Sequence, residues 1–234
     1  MICEFAEISF KICGVSDSTE HFLKDFISSK SPDEEILLLP EDIKKESEIS
    51  GCFDRKILEI TALYRKIAEI APKYGAFLMH AAVIEADKKG LAFTAASGTG
   101  KTTHILNWVK CYKDRVRIVN GDKPLIKISG EKIFAYPTPW CGKEKLSGSE
   151  KCELKAVGFI KRAEETRIEK TAKKQALREL LNRIYLPADK NGTDLTFALI
   201  NKFLENCEFF DIFCTKDASS AVKAHDFIFN EEKL

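Results

Sequence analysis

The sequence predicts an α/β fold whose main part begins near residue 76. From there onward, short apolar segments of strand length alternate with segments whose apolar residues recur every three or four positions. A glycine-rich segment at residues 95–103 also lies between a predicted strand and a predicted helix. A chain of 234 residues with 44% hydrophobic content is long and apolar enough to fill the core of such a fold.

The first 50 residues predict a smaller α+β layer that packs on this core. Apolar residues alternate at 4–12 and then recur at helical spacing at 21–27. A short apolar strand is expected at 36–39, and the charged, turn-rich segment 40–51 is expected to be a boundary or a mobile loop. We therefore divide the chain into residues 1–50, the α+β layer, and residues 51–234, the core.

The core opens with an amphipathic helix at about 54–70, because isoleucine, leucine and tyrosine recur there at three and four residue intervals. Pro72 ends that helix. Hairpin turns are expected at 88–90 and 129–130. The predicted strands are 76–84, 91–95, 116–119, 125–128, 133–136, 156–160 and 209–213. The remaining predicted helices are 102–110, 173–184, 195–206 and 219–229. The last strand is expected to join the sheet.

Composition disfavours several partner classes, although a local basic patch stays open. Lys plus Arg total 37 against 36 for Asp plus Glu, so no net field attracts nucleic acid or an anionic membrane. No apolar run reaches the length of a bilayer span, and the first ten residues lack the basic region of a secretion signal. The eight scattered cysteines form no C-x-x-C pair and are interpreted as free thiols. We therefore expect a protein of the reducing cytoplasm, with no nucleic-acid and no membrane partner.

The segment 95–103, the phosphate loop, carries the clearest chemical signal. Gly98 and Gly100 let the backbone fold its N–H groups around an oxyanion, and the following helix adds the positive end of its dipole. Lys101 would bridge the terminal phosphates of a nucleoside triphosphate, and the Thr102 hydroxyl would ligate Mg²⁺. The usual motif begins with Gly, whereas Ala95 stands there. The alternative is a glycine-rich turn that binds nothing. The predicted nucleotide-binding residues are Ser97, Gly98, Thr99, Gly100, Lys101, Thr102 and Thr103.

Three segments together resemble a known kinase core. They are residues 77–82 (FLMHAA), residues 96–103 (ASGTGKTT) and residues 119–122 (VNGD). The chain is similar here to HPr serine kinase/phosphorylase and ATP-dependent phosphoenolpyruvate carboxykinase, most of all to small HPr-kinase-like bacterial proteins. The resemblance covers residues 76–128 well, and the loop 136–143 and the C-terminal helices more loosely. It implies a mixed sheet flanked by helices and the cofactors ATP and Mg²⁺.

Asp122 follows the predicted strand 116–119, at the strand end where such sheets bind ligands. It is therefore a candidate metal ligand and catalytic base, although Asn, Gly and Asp are also common turn residues. The resembling kinases carry an Asp-Asp pair where this chain has Gly121-Asp122. An aspartate at position 121 would restore the pair if the missing carboxylate limits catalysis.

His80 lies in an apolar segment, where a lone histidine is more often a packed core residue than a catalyst. The resemblance implies a role near the phosphates, so His80, Lys101 and Asp122 are the predicted catalytic residues. Arg178 and Arg183 reach a phosphate only if the fold brings them in.

The loop 137–144 interrupts two strands with Pro, Trp, Gly and Lys, which makes it a candidate acceptor-binding loop. Its predicted substrate contacts are Trp140, Gly142 and Lys143. A packed Trp with a solvated Lys is the open alternative.

The function expected from these residues is transfer of the γ-phosphoryl group of ATP to a hydroxyl of a protein, a peptide or a metabolite. Carboxykinase chemistry is disfavoured because the chain is too short for the additional substrate domain. A GTPase is disfavoured because residues 201–204 and 215–218 fail the Asn-Lys-x-Asp pattern. A catalytically decayed ATP-binding regulatory module stays open because of Gly121. The oligomeric state, including a homo-oligomer, also stays open.

Overall fold

A mixed β-sheet flanked by helices forms the main part of the protein. The computed structural model describes residues 1–96 and 98–230. Its strands run both parallel and antiparallel within one large sheet, and a second, smaller sheet lies at the N-terminus. The predicted α/β class and the mixed sheet are therefore confirmed. Within the described residues, no helix is both long enough and apolar enough to cross a bilayer.

The N-terminal layer is a three-stranded sheet with strands β1 (Ile2–Phe5), β2 (Ile8–Cys13) and β3 (Glu34–Leu37). Strands β1 and β2 are antiparallel, and β3 runs parallel to β2. The single strand predicted at 4–12 is wrong, because Ala6 and Glu7 adopt positive φ angles of 52° and 62° and turn the chain. The alternating pattern continues on both sides of that turn and hides it.

Three helices complete this layer and its border. They are α1 (Asp17–Leu23), α2 (Pro40–Ser50) and α3 (Arg55–Ile70), with short 3-10 turns at Lys24–Phe26 and Ala71–Tyr74. The mobile loop predicted at 40–51 is wrong, whereas the boundary predicted there stays a prediction. Residues there form α2, whose buried Glu46 pairs with Arg65 of α3 at 2.5 Å. The buried residue of α2 is charged, so the sequence of this helix has no apolar stripe that would have predicted it.

In the part of the chain that the structure describes, the large sheet has nine strands. They are β4 (Ala76–Leu78), β5 (Ala82–Ala86), β6 (Lys89–Thr94), β7 (Val116–Asn120), β8 (Leu125–Ser129), β9 (Lys132–Tyr136), β10 (Cys152–Arg162), β11 (Arg167–Lys170) and β12 (Glu208–Cys214). The flanking helices are α4 (Lys101–Tyr112), α5 (Lys173–Leu181), α6 (Lys190–Asn206) and α7 (Ser219–Asn230), with a 3-10 turn at Lys113–Arg115.

The strand order is β4-β8-β9-β10-β6-β5-β7, and β12 pairs with the second half of β10 and carries β11 on its other edge. Strand β10 runs parallel to both β6 and β12, whereas the other pairings of this sheet are antiparallel. The expectation that the last strand joins the sheet is confirmed. The edge strand β11 was missed because it is charged and mostly exposed.

The strand predicted at 76–84 is two strands, β4 and β5, in different parts of the sheet. Residues 79–81 carry the backbone from β4, which pairs with β8, to β5, which lies between β6 and β7. The N–H of Met79 donates to Pro124, that of Ala81 to Asp122 and that of His80 to Arg183. Residues from three distant segments thus meet at this crossing, and His80 and Asp122 come together there.

Glu59 of α3 fastens α1 to α3. Its side chain is completely buried. One carboxylate oxygen accepts bonds from the N–H and hydroxyl of Ser16 and from the hydroxyl of Thr19, and the other accepts from Arg55. Burial alone would raise the pKa of Glu59, but the bonds from Ser16, Arg55 and Thr19 lower this pKa from 4.5 to about 2. The folded protein therefore stabilises the ionised form.

Because the folded pKa of Glu59 lies below its unfolded value, its contribution to stability is complete above the unfolded pKa and is lost as the pH falls towards about 2. We predict that Glu59→Gln lowers the free energy of unfolding at neutral pH by about 1–3 kcal/mol. The loss should be smaller near pH ~3. Urea denaturation at both pH values measures it, with Glu48→Gln on α2, 67% exposed, as the control. An equal loss at both pH values would contradict the assignment.

Candidate active site

The described part of the phosphate loop connects β6 to α4 and uses two left-handed glycines. Gly98 has φ 74° and Gly100, the N-cap of α4, has φ 118°. A Cβ at either position would meet open space, so backbone conformation, not crowding, requires glycine there. Ser97, a predicted contact, lies outside the described residues.

Helix α4 is anchored on the sheet by its buried residues Ile105 and Trp108. The indole N–H of Trp108 donates to Nε2 of His104 at 3.0 Å. Burial lowers the pKa of His104 to about 4, so this imidazole is neutral at physiological pH. The start of α4, where the first N–H groups of the helix lack intrahelical partners, is thus fixed at the phosphate loop.

Lys101, Asp122 and His80 form the centre of the site. The ammonium of Lys101 donates to Oδ1 of Asp122 at 3.0 Å, and Nε2 of His80 lies 3.0 Å from the same oxygen. Lys123 lies 3.6 Å from the other carboxylate oxygen. Burial opposes ionisation of Asp122, but the bond from His80 and the charge of Lys101 hold the pKa of this carboxyl well below its ordinary value. Asp122 is therefore ionised at neutral pH.

Asn120, which the sequence did not single out, builds the turn that presents Asp122. Its side chain is completely buried at the end of β7. The amide oxygen accepts from the N–H groups of Asp122 and Lys123 at 2.9 and 2.8 Å. The amide nitrogen donates to the carbonyl and the hydroxyl of Thr138, at 3.0 and 3.2 Å. The first two bonds shape the turn, and the last two tie the strand end to the loop that follows β9.

Gly121 has no room for a side chain. A Cβ there would lie 2.6 Å from the carbonyl oxygen of Cys141 and 3.0 Å from Cβ of Leu146. Its N–H also donates to the Leu146 carbonyl at 2.7 Å. An aspartate at position 121 would therefore displace this backbone, and the substitution cannot simply restore a carboxylate pair. The sequence gives no sign of this close approach.

The loop after β9 brings only part of its predicted substrate set to the site. A Cβ at Gly142, whose φ is 86°, would lie 3.4 Å from Cβ of Asp122. Lys143 is exposed. Trp140 is 8% exposed, its ring packs on Phe5, and its indole N–H donates to the Ile60 carbonyl at 3.1 Å. The indole therefore joins the loop to α3 and to the N-terminal layer, and its contact with a substrate stays a prediction.

A cavity of about 400 Å³ lies between the phosphate loop, the end of β10 and α5. Two arginines line it. The guanidinium of Arg162 donates to the carbonyls of Gly98 and Thr99, the latter at 3.2 Å. Arg183 lines the same cavity, whereas Arg178 is exposed and does not. Arg162 was missed because the sequence does not show that β10 runs parallel to β6 and ends beside the phosphate loop.

The residues present fit a magnesium ion that is bound partly through phosphates. No cluster of three His, Cys, Asp or Glu side chains suited to a metal occurs in the described ranges. Mg²⁺ bound with a nucleotide needs only one or two protein carboxylates, because phosphate oxygens and waters supply its other ligands. Asp122 and the half-buried Thr102 of α4 have the required oxygen chemistry, and Thr103 is exposed.

Comparison with known proteins finds no matching family model and no matching curated protein. Among solved structures, the chain is similar to the Hpr(Ser) kinase/phosphatase from Coxiella burnetii, at 10% sequence identity. That match covers 67% of this chain and 96% of the other, with a TM-score of 0.40.

We predict that Asn120→Ala lowers the free energy of unfolding by about 2–4 kcal/mol, because the N–H of Asp122 loses its acceptor and the Thr138 oxygens lose a donor. The N–H of Lys123 keeps the Trp140 carbonyl as an acceptor. Urea denaturation measures the loss. Asn182→Ala is the matched control, since that side chain is exposed and donates to the Arg178 carbonyl at 3.0 Å. Equal effects in the two variants would show that Asn120 does not build the turn.

Proposed function

We propose that the protein is an ATP-dependent kinase that transfers the γ-phosphoryl group to a hydroxyl of a protein, a peptide or a metabolite in the cytoplasm. One observation carries the proposal: Lys101, the first residue of the helix after the phosphate loop, contacts an ionised carboxylate, Asp122, that His80 also contacts. A phosphate-binding cation, a carboxylate and a histidine thus meet within hydrogen-bond distance. A lysine on the phosphates and a carboxylate near the acceptor hydroxyl are recurring parts of phosphoryl-transfer sites.

The phosphate loop and the basic residues around it would bind the triphosphate. The N–H groups at the start of α4 and its dipole favour an anion. Lys101 reaches the terminal phosphates, and Arg162 and Arg183 supply further positive charge from the wall of the cavity. The cavity of about 400 Å³ is within the usual range for a small ligand.

Thr102 and Asp122 would hold the magnesium ion of the bound nucleotide. When bound, the ion neutralises phosphate charge and so favours attack on phosphorus. Asp122 has a second task. It accepts the proton of the acceptor hydroxyl while that oxygen forms its bond to the γ-phosphorus and the bond to the β–γ bridging oxygen breaks.

The strength of Asp122 as a base depends on Lys101. With Lys101 on the carboxylate, the pKa of Asp122 is well below its ordinary value, which makes it a weak base. When Lys101 turns to the phosphates, one carboxylate oxygen loses a donor and its basicity rises. The bond from His80 keeps the carboxylate oriented. Phosphate binding and base activation are coupled in this way.

A second candidate is an ATP-binding regulatory module without catalysis. The crowding at Gly121 favours it, because the carboxylate pair of the resembling kinases cannot be accommodated there. In a kinase, Asp122 would have to bind the metal and also accept the proton of the acceptor hydroxyl, and a site that cannot do both would bind ATP without turnover. ATP turnover distinguishes the two candidates.

We predict that Lys101→Ala weakens binding of ATP with Mg²⁺ by roughly 1.5–3 kcal/mol, the contribution of a charged hydrogen bond. Isothermal titration calorimetry measures the affinity. Lys110→Ala, an exposed lysine on the same helix, is the control and should bind like the wild type. Unchanged affinity of Lys101→Ala would remove the phosphate loop from the proposal.

We predict that Asp122→Asn lowers phosphoryl transfer, or background ATP hydrolysis, by about a hundredfold or more, because a base acts chiefly in the transition state. ATP affinity should stay near normal. A coupled assay of ADP release gives the rate, with Asp114→Asn, an exposed aspartate, as the control. Intact turnover would show that Asp122 is only a turn residue.

A further inference from the structure

We propose that a groove between the N-terminal layer and the loop after β9 binds an acidic polypeptide segment, which carries the acceptor hydroxyl. We call it the acceptor groove. Its walls include Phe22 and Phe26 on one side and Pro137 and Pro139 on the other. The transfer step rests on the proposed kinase function, whereas binding of the segment does not.

The position of the groove joins it to the candidate active site. Cys141 and Gly142 line it, and both also border the turn that carries Asp122. The carbonyl of Cys141 covers Gly121, and Gly142 lies against Asp122. A segment that lies in the groove therefore contacts the same loop as the catalytic carboxylate.

The size of the groove favours a polypeptide over a metabolite. Its volume is about 1370 Å³, against about 400 Å³ for the cavity at the phosphate loop. Sites for small molecules are typically about 300–1,000 Å³. Ile27, 61% exposed, and the partly buried Phe22 and Phe26 supply apolar surface for side chains of such a segment.

The charge of the groove favours an acidic occupant. Five lysines line it against three carboxylates. Two of those carboxylates already have partners, since Glu4 pairs with Lys30 and Glu7 pairs with Lys127 and Lys151. Within residues 1–96 and 98–230, the other lining lysines are exposed and have no carboxylate partner: Lys24, Lys56, Lys143 and Lys145.

The same charges disfavour nucleic acid as the occupant. Nucleic-acid sites present a continuous basic surface, and domains that carry them typically have a pI above about 9. This chain has a sequence pI of about 7.5, and the carboxylates of Glu4, Glu7 and Asp25 stand among the lysines. Such mixed charge suits a polypeptide that presents separate carboxylates.

The test measures binding without ATP. A short fluorescein-labelled peptide with glutamates around a central serine is titrated with the protein, and anisotropy reports binding. Peptides with Gln or Lys in place of Glu, and an oligouridine RNA, are the matched probes. We expect the Glu peptide to bind about tenfold or more tightly than the other probes, with an affinity that falls as salt is raised.

Charge reversal locates the binding. Lys143→Glu with Lys145→Glu, and separately Lys24→Glu with Lys56→Glu, should each weaken the Glu peptide by about tenfold. The control is Lys44→Glu with Lys45→Glu, on α2 outside the groove. This variant should bind the Glu peptide like the wild type. Circular dichroism and the affinity for ATP with Mg²⁺ verify that each variant is folded.

The outcomes distinguish failure of the acceptor groove from failure of the proposed kinase function. Equal binding of the Glu and Gln peptides, tighter binding of the RNA, or unchanged affinity in both folded groove variants overturns the acceptor groove. Binding as expected without phosphoryl transfer to any serine peptide supports the groove and contradicts the kinase. Transfer to a metabolite with no peptide binding contradicts the groove and leaves the kinase in place.

Discussion

The buried amide of Asn120 is the constraint on which the candidate site depends. It holds two N–H groups of the turn with its oxygen and two oxygens of Thr138 with its nitrogen. A buried polar group without partners is costly, so any other path of this turn would be penalised. Asp122 is therefore directed at Lys101 before any ligand arrives. Such preorganisation is what makes charged groups effective in a site.

The packing of this turn also sets the charge of the site. Because the loop at Cys141 and Leu146 covers Gly121, the end of β7 carries one carboxylate where a pair would need room for a side chain. Asp122 faces the ammonium groups of two lysines, Lys101 and Lys123. The excess of positive charge suits a polyphosphate, which brings several negative charges of its own.

Residue type and spacing predicted the phosphate loop and the helix that follows it. Left-handed Gly98 and Gly100 and the amphipathic helix α4 follow from residue type and spacing alone. The division of the segment 76–84 did not follow, because bonds from Met79–Ala81 to distant residues decide it and both halves are apolar. Helix α2 was missed for a related reason, since its buried group is the charged Glu46, whose partner Arg65 lies on another helix.

The N-terminal layer and the candidate site share one loop, and this makes them mechanically dependent. Trp140 packs on Phe5 and Tyr64, whereas Gly142, two residues on, lies against Asp122. Lys123, next to Asp122, lies over the ring of the same Tyr64 at 5.0 Å. Protein cores are close-packed, so a displacement of the layer is transmitted to its neighbours and is not absorbed. A polypeptide in the acceptor groove would contact both the N-terminal layer and the loop. Its binding would therefore affect the position of the Asp122 carboxylate, to which its acceptor hydroxyl would donate a proton.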